Sequence, residues 1–307
     1  MTIPRRLSLF VSLSRLPHVV LDIATPCVAA LLWYGGFPAL WIVLVGIFTS
    51  FSGYAAVYAL NDMIDYRLNR ASLAGADPAR TRSLDSAGGR HPVAAGRLSV
   101  RAGWAWVAGW GLAAAVGAWI LRPACAFIFL GGCLLELLYC SLYRVTMFRA
   151  LVSGLVKILG AAAAVVAVDP QPSLPRLVLL LGMVFLWELG GQNIPSDWSD
   201  IEEDRRMRAP TIPLRLGASW ATAIMIACMV AAVALSVEVV HVFPGAHDLA
   251  TTVGFLAAGL GLLIYPSIQL FLRRESSKAA LVFHAASFYP LALLAVVAVR
   301  ILAAPSA

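Results

Sequence analysis

Residues 38–69 read PALWIVLVGIFTSFSGYAAVYALNDMIDYRLN, an apolar run over about 38–61 that ends in Asn61, Asp62, Asp65 and Asn69. The apolar part is long enough to cross a bilayer as one helix, which takes roughly 20 residues. Asp62, Asp65 and Asn69 stand at i, i+3 and i+7, so on a helix their oxygens share one face. The arrangement recurs after a later apolar run: residues 197–204 read DWSDIEED, with Asp197, Asp200 and Asp204 at the same spacing. Carboxylates stacked this way repel one another unless positive charge lies between them. Each ladder runs on into an arginine-rich stretch. Two such ladders with bases beside them predict a site for divalent metal and a polyphosphate, at one end of a membrane bundle.

The rest of the chain agrees with the membrane reading. Its 307 residues are 61% apolar and 13% charged, against about a quarter charged in soluble domains, and the mean hydropathy is +0.84. Windows of spanning length fall at about 16–34, 38–61, 102–121, 124–142, 150–168, 176–196, 219–238, 250–272 and 279–302. The expected architecture is therefore an all-α bundle of nine transmembrane helices. It forms one domain over residues 1–307, with polar loops at about 62–101 and 197–218.

Cations fix the expected orientation. Nineteen of the 23 Lys and Arg lie before the first window or between even and odd windows, and the opposite side has Arg122, Arg176 and Arg300. The positive-inside rule puts the crowded side, with the N-terminus and both ladders, in the cytoplasm, and the C-terminus outside. A plasma (inner) membrane is the expected location. The sided charge accounts for the net +7 as topology and attraction to anionic lipid rather than nucleic-acid binding. No cleavable signal follows Arg5 and Arg6. Cys27, Cys125, Cys133, Cys140 and Cys228 all fall in the windows without metal-type spacing and read as packing residues.

The two polar loops resemble each other. Each begins with a ladder, turns basic and reaches a Pro-x-x-x-Gly step, Pro92 to Gly96 and Pro213 to Gly217. An internal repeat of helices two–three and six–seven would set the ladders opposite each other. Oxygen ligands at this spacing suit Mg²⁺, which keeps waters and bridges to phosphates. Two such ions and a diphosphate would balance Asp62, Asp65, Asp197, Asp200 and Asp204, and arginines would take the remaining phosphate charge. The plainer alternative pairs the carboxylates with Arg67, Arg70, Arg205 and Arg206; a second ladder in register argues against it.

NDMIDYRLN and DWSDIEED together resemble the paired aspartate motifs of the UbiA superfamily of intramembrane prenyltransferases. Arg90-His91-Pro92 with Ala95-Gly96-Arg97, and Thr211 to Gly217, resemble further loops of that family, and Tyr139 to Arg144 resembles its fourth-helix segment. The resemblance implies a UbiA-like bundle with a central cavity capped by cytoplasmic loops. It also implies Mg²⁺-dependent transfer of a polyprenyl group from its diphosphate to a hydrophobic, commonly aromatic, acceptor. In that reading Asp62, Asp65, Asp197 and Asp200 are catalytic, with Asn61, Asn69 and Asp204 completing the metal set. Arg67, Arg90, Arg144 and Arg205 hold the diphosphate, and Tyr139, Glu188, Gln192 and Asn193 face the acceptor. Two positions depart from the family pattern: Asn69 replaces a third aspartate, and Tyr143 stands where many relatives carry lysine.

Asp22, Glu136, Lys157 and Glu188 fall inside apolar windows, where a charge costs about 2.5–3.5 kcal/mol on insertion scales and faces a cavity or a partner. Lys157 is expected to pair with Glu136 or Glu188, and Asp22 to reach the interface. Pro195 is expected to distort its helix. The five histidines show no ligand spacing, and Trp104, Trp106, Trp110 and Trp119 read as interfacial or lipid-facing. Two alternatives use the same features: phosphoribosyl transfer from phosphoribosyl diphosphate to a polyprenyl phosphate, and a transporter, which would place its ion site nearer the midplane.

Overall fold

The computed structural model describes the backbone of residues 5–73, 91–243 and 246–303, and the side chains of 7–67, 91–243 and 246–303. Among the described residues there is no strand, and nine helices are long and apolar enough to cross a membrane. They are Leu16–Tyr34, Leu40–Arg67, Val100–Leu121, Pro123–Ser141, Arg149–Val168, Leu174–Ser199, Ile212–Val242, Leu249–Arg273 and Ser276–Ala303, numbered below as the first to ninth spans. These match the nine sequence windows. Consecutive spans pack on each other, and the first span packs on the fifth and ninth, closing the bundle.

Lipid-facing positions stay apolar and exposed, as at Leu44, Phe48, Leu112, Leu134 and Leu272. The interior is filled around Trp187, Tyr289, Phe243, Phe255 and Met225. Of the tryptophans expected at the lipid surface, Trp119 is exposed. Trp106 instead packs at a tilt on Phe10 and edge-to-face on Trp110, and donates its indole N–H to Ser14 over 2.7 Å.

Prolines break the spans where the site needs irregular backbone. The first span is two helices, Leu16–Asp22 and Ala24–Tyr34. Pro26 has no N–H to return to the carbonyl of Asp22, which is where the helix parts. In the sixth span the turn Glu188–Asn193 is a π-helix, ending two residues before Pro195. The eighth span repeats this, with a π-turn Leu260–Ile264 followed by Pro266. The helical distortion expected at Pro195 is thus a widened turn upstream of it.

The ladders differ in backbone. The first lies on one uninterrupted helix, Leu40–Leu73. The second, expected on one helical face, is broken at Asp200 (φ −98°, ψ 13°) between helices Ile194–Ser199 and Ile201–Met207. Both Pro-x-x-x-Gly steps end in a glycine at positive φ, 69° at Gly96 and 77° at Gly217. A side chain would be strained at either position, so the two loops turn into their next spans by the same device.

Candidate active site

A cavity of about 850 Å³ runs along the inner faces of the second, fourth and fifth spans, from Asn61 and Asp197 at the ladder end to Phe37 and Val168 at the other. Its walls are mainly apolar and small, among them Gly46, Gly53, Gly132 and Gly160. Asn61 of the first ladder and Asp197 and Asp200 of the second line its mouth.

In the first ladder, Asn61 lines the cavity and donates to Glu136 Oε1 over 2.7 Å. Asp62 is buried, with Oδ1 2.6 Å from His91 Nδ1. His91 had no ligand-like spacing in the sequence, yet its left-handed backbone (φ 51°) brings it onto the ladder. Asp65 is half-buried one turn further along the same helix. The side chain of Asn69, and the whole of Arg90, lie outside the described residues.

In the second ladder, Asp197 Oδ1 accepts from Arg149 Nη2 over 2.9 Å, and Asp200 lines the cavity at the helix break. Asp204 is buried and its Oδ1 accepts the Tyr143 hydroxyl over 3.0 Å. Burial, with the Asp197 carboxylate close by, pushes the Asp204 carboxyl up to about 7. Burial and then Asp204 push the Tyr143 phenol well above its usual value, and Asp65 adds to the push. The helix Ile201–Met207, which carries Asp204, also packs on the helix Leu40–Leu73 that carries the first ladder, so the two ladders converge.

The arginines sort differently from the sequence reading. Arg149 is buried, donates to Tyr139 Oη over 3.1 Å as well as to Asp197, and lies over the rings of Tyr139 and Tyr143 at 5.1 and 4.6 Å. Sequence reasoning placed Arg149 among the loop cations and gave it no role. Its position one helix start after the Tyr139–Arg144 segment is the signal that would have found it. Arg144 is exposed on the intervening turn, Arg67 is exposed over the Trp104 ring at 5.9 Å, and Arg205 pairs with exposed Glu202 at 3.0 Å. Arg15, not singled out from sequence, lines the cavity.

Deeper in, Tyr139, Glu188, Gln192 and Asn193 all line the cavity. Gln192 is held by the Phe283 carbonyl at 3.4 Å and by Ser287 at 3.3 Å. Lys157 binds chiefly Asp22, at 2.5 Å, with Glu188 at 3.8 Å. Glu136 is taken by Asn61, so it is not the lysine's partner. Asp22 does not reach the interface: it is buried and also accepts from Tyr58. The break in the first span is what delivers it inward.

Among the described residues, no three His, Cys, Asp or Glu side chains converge into a ready metal cage. Each ladder instead presents one buried carboxylate oxygen without a hydrogen-bond partner, Asp62 Oδ2 and Asp204 Oδ2. Such an oxygen costs about 1–3 kcal/mol or more if left unmet. Mg²⁺ takes one or two carboxylates and completes its shell with water and phosphate oxygens. The donor set fits that pattern.

Comparison with known proteins gives the fold the same reading. The UbiA prenyltransferase family model matches residues 23–299. No curated protein sequence matches the chain. Among solved structures, the apo form of a UbiA homologue from Aeropyrum pernix K1 superposes with a TM-score of 0.72 at 22% identity, covering 94% of this chain and 98% of that one. A UbiA homologue from Archaeoglobus fulgidus bound to GPP and Mg²⁺ gives 0.70 at 16% identity, covering 95% and 99%. A digeranylgeranylglyceryl phosphate synthase gives 0.68 at 17% identity, covering 97% and 99%. The paired ladders, the cavity beneath them and a family match over nearly the whole length lead to one conclusion: this chain belongs to the UbiA prenyltransferase family.

Proposed function

We propose that this protein transfers a prenyl group from its diphosphate to an acceptor held in the central cavity. The observation that carries the reading is the pair of unmet, buried carboxylate oxygens of Asp62 and Asp204, in the two ladders whose Asn61, Asp197 and Asp200 line one end of a long apolar cavity. The mouth suits a diphosphate bound with Mg²⁺, and the cavity suits a prenyl tail. The Archaeoglobus homologue bound to GPP and Mg²⁺ supports this assignment.

Asp62, Asp65, Asp197, Asp200 and Asp204, with Asn61 and Asn69, would hold the metal. Bound there, Mg²⁺ supplies charge stabilisation to the departing diphosphate. Arg149 orients Asp197 by donating to its Oδ1. His91 orients Asp62, leaving its second oxygen free for the cation. Tyr143 orients Asp204 in the same way. Apolar walls exclude water from the tail and from the allylic carbon, so capture by the acceptor competes with hydrolysis. An aromatic acceptor is our preferred partner, and the positive-inside rule places the mouth on the cytoplasmic side.

The test is release of diphosphate by the purified protein in nanodiscs, with Mg²⁺ and geranyl diphosphate or a longer donor. Release is expected for the wild type, and its loss for Asp65→Ala and Asp200→Ala. Release that persists in both variants would sink the reading. Transfer only from phosphoribosyl diphosphate would replace it with the phosphoribosyl alternative.

A further inference from the structure

One turn of the fourth span serves both ladders. Its Tyr139 hydroxyl accepts from Arg149 over 3.1 Å, and Arg149 holds Asp197 of the second ladder. Three residues earlier, Glu136 Oε1 accepts the Asn61 side-chain N–H over 2.7 Å at the head of the first ladder. Residues three apart are neighbours on a helix surface. Glu136 is 6% exposed and lines the cavity. A carboxylate inside a span is costly and is kept where it faces a cavity or a partner. Here the same oxygen takes Asn61 and, more weakly, the Cys140 thiol at 3.7 Å, while Arg15 contributes positive charge from nearby.

The partner decides which end of the Asn61 amide the cavity meets. An amide carries donors on nitrogen and an acceptor on oxygen, whereas an ionised carboxylate only accepts. Beside Glu136 the amide must therefore present nitrogen, and Oδ1 is directed elsewhere. Among the described residues Oδ1 makes no hydrogen bond, and Asn61 lines the cavity mouth. Asp65 stands four residues on, on the same helix face, and Asp62 has its own unmet oxygen beside it. The reversed amide would press Oδ1 against Glu136 Oε1, two acceptors in contact. It would also turn N–H groups toward the place where a cation needs oxygen.

We propose that Glu136 is a positioning residue for the metal: by holding the Asn61 amide nitrogen, it fixes Asn61 Oδ1 as an oxygen ligand at the head of the first ladder. The assignment rests on the prenyl-transfer reading. Mg²⁺ demands near-ideal oxygen geometry, so an amide free to turn over is a poor ligand. Groups that stand behind a ligand and orient it are worth about 10–100-fold in metal affinity. A plainer role for the contact is a hydrogen bond that only ties the second span to the fourth. That role predicts lost stability with unchanged metal affinity, which separates the two.

The test is Mn²⁺ binding to the purified protein in nanodiscs, without donor, read by electron paramagnetic resonance; Mn²⁺ takes the same oxygen ligands as Mg²⁺. Glu136→Gln can bond Asn61 in either amide orientation. Its melting temperature should stay near that of the wild type while Mn²⁺ affinity falls about tenfold or more. Glu136→Asp keeps the charge but withdraws the acceptor by a methylene, and should lose affinity as well. In an Asn61→Ala background, Glu136→Gln should change affinity by less than about twofold, because the two residues act as a unit. Equal loss in both backgrounds would mean that Glu136 acts by its own charge or as a ligand, and overturns the proposal. So does unchanged affinity in both Glu136 variants, with or without a fall in melting temperature, and so does absence of saturable Mn²⁺ binding by the wild type. Because no donor is present, these outcomes are independent of diphosphate release, which judges prenyl transfer.

Discussion

Arg149 and Asp197 form an ion pair at 2.9 Å, with side chains 7% and 13% exposed, at the mouth of a cavity that crosses the bundle. Pairs this sheltered are worth most as a unit, since removing one partner leaves the other charged and stranded, at about 3–5 kcal/mol. The pair also joins the fifth span to the sixth at the point where the second ladder begins. Arg149→Ala should therefore cut Mg²⁺-dependent diphosphate release by about 10²-fold, the scale of losing a placed electrostatic contact, and lower the melting temperature. Arg149→Lys restores charge without the planar fork that reaches Tyr139 and Asp197 together. A lysine variant as active as the wild type would show that charge alone matters there.

The π-turn of the sixth span depends on close approach to the seventh. A Cβ added at Gly190 would meet the Cβ of Cys228 at 2.7 Å and the carbonyl oxygen of Met225 at 3.0 Å, neither of which can swing away. Gly190→Ala should destabilise by about 1–3 kcal/mol, the usual cost of overpacking. It should also weaken activity, because Asn193 and Asp197 lie downstream of the turn. Gly131→Ala is the control: nothing lies within 4 Å of its added carbon, and alanine favours a helix over glycine. Thermal unfolding in nanodiscs should separate the two.

What the sequence disclosed and what it hid divide along one physical line. Spans and the first ladder are local: a window of apolar residues and a spacing of three and four suffice to place them. The partner of Lys157 is not local, because Asp22 lies 135 residues away and reaches it only after the first span breaks before Pro26. Burial of Arg149 and the approach of His91 to Asp62 likewise depend on packing, since nothing in their own neighbours separates them from other loop residues. The break at Asp200 was nearer to legible. Asp followed three residues later by Glu203 is the order of a helix start, and the backbone N–H groups of Glu203 and Asp204 do return to the Asp200 carbonyl at 2.8 and 3.0 Å.

Asp248 opens the eighth span. Its Oδ1 accepts the Thr251 N–H at 2.7 Å, its Oδ2 accepts the Thr251 hydroxyl at 2.9 Å, and Arg300 pairs with it. The Thr251 N–H, then the hydroxyl and Arg300, hold the carboxyl below its usual value. A depressed folded-state value means stability that is present above the unfolded value of about 3.9 and lost as pH falls through the folded one. Melting temperature should therefore decline below about pH 4 in part through this group. Asp248→Ala should lower it at neutral pH by the equivalent of about 1 kcal/mol, as for a lost helix cap, and should remove that share of the acid dependence.

Gly46 tests the tail path. It lines the cavity on the second span, and an added carbon there would meet nothing within 4 Å. It precedes Asn61 by 15 residues, which is about 22 Å along a helix rising 1.5 Å per residue. A bulky side chain at that depth would close the far part of the cavity while leaving the mouth untouched. Gly46→Trp is expected to keep most diphosphate release with geranyl diphosphate and to lose about tenfold or more with donors long enough to reach it, since a filled cavity must be paid for in strain. Release measured across a series of donor lengths reads this directly. Equal loss at every length would mean that the variant disturbs the fold. No loss at any length would mean that the tail leaves the bundle sideways, before it reaches Gly46.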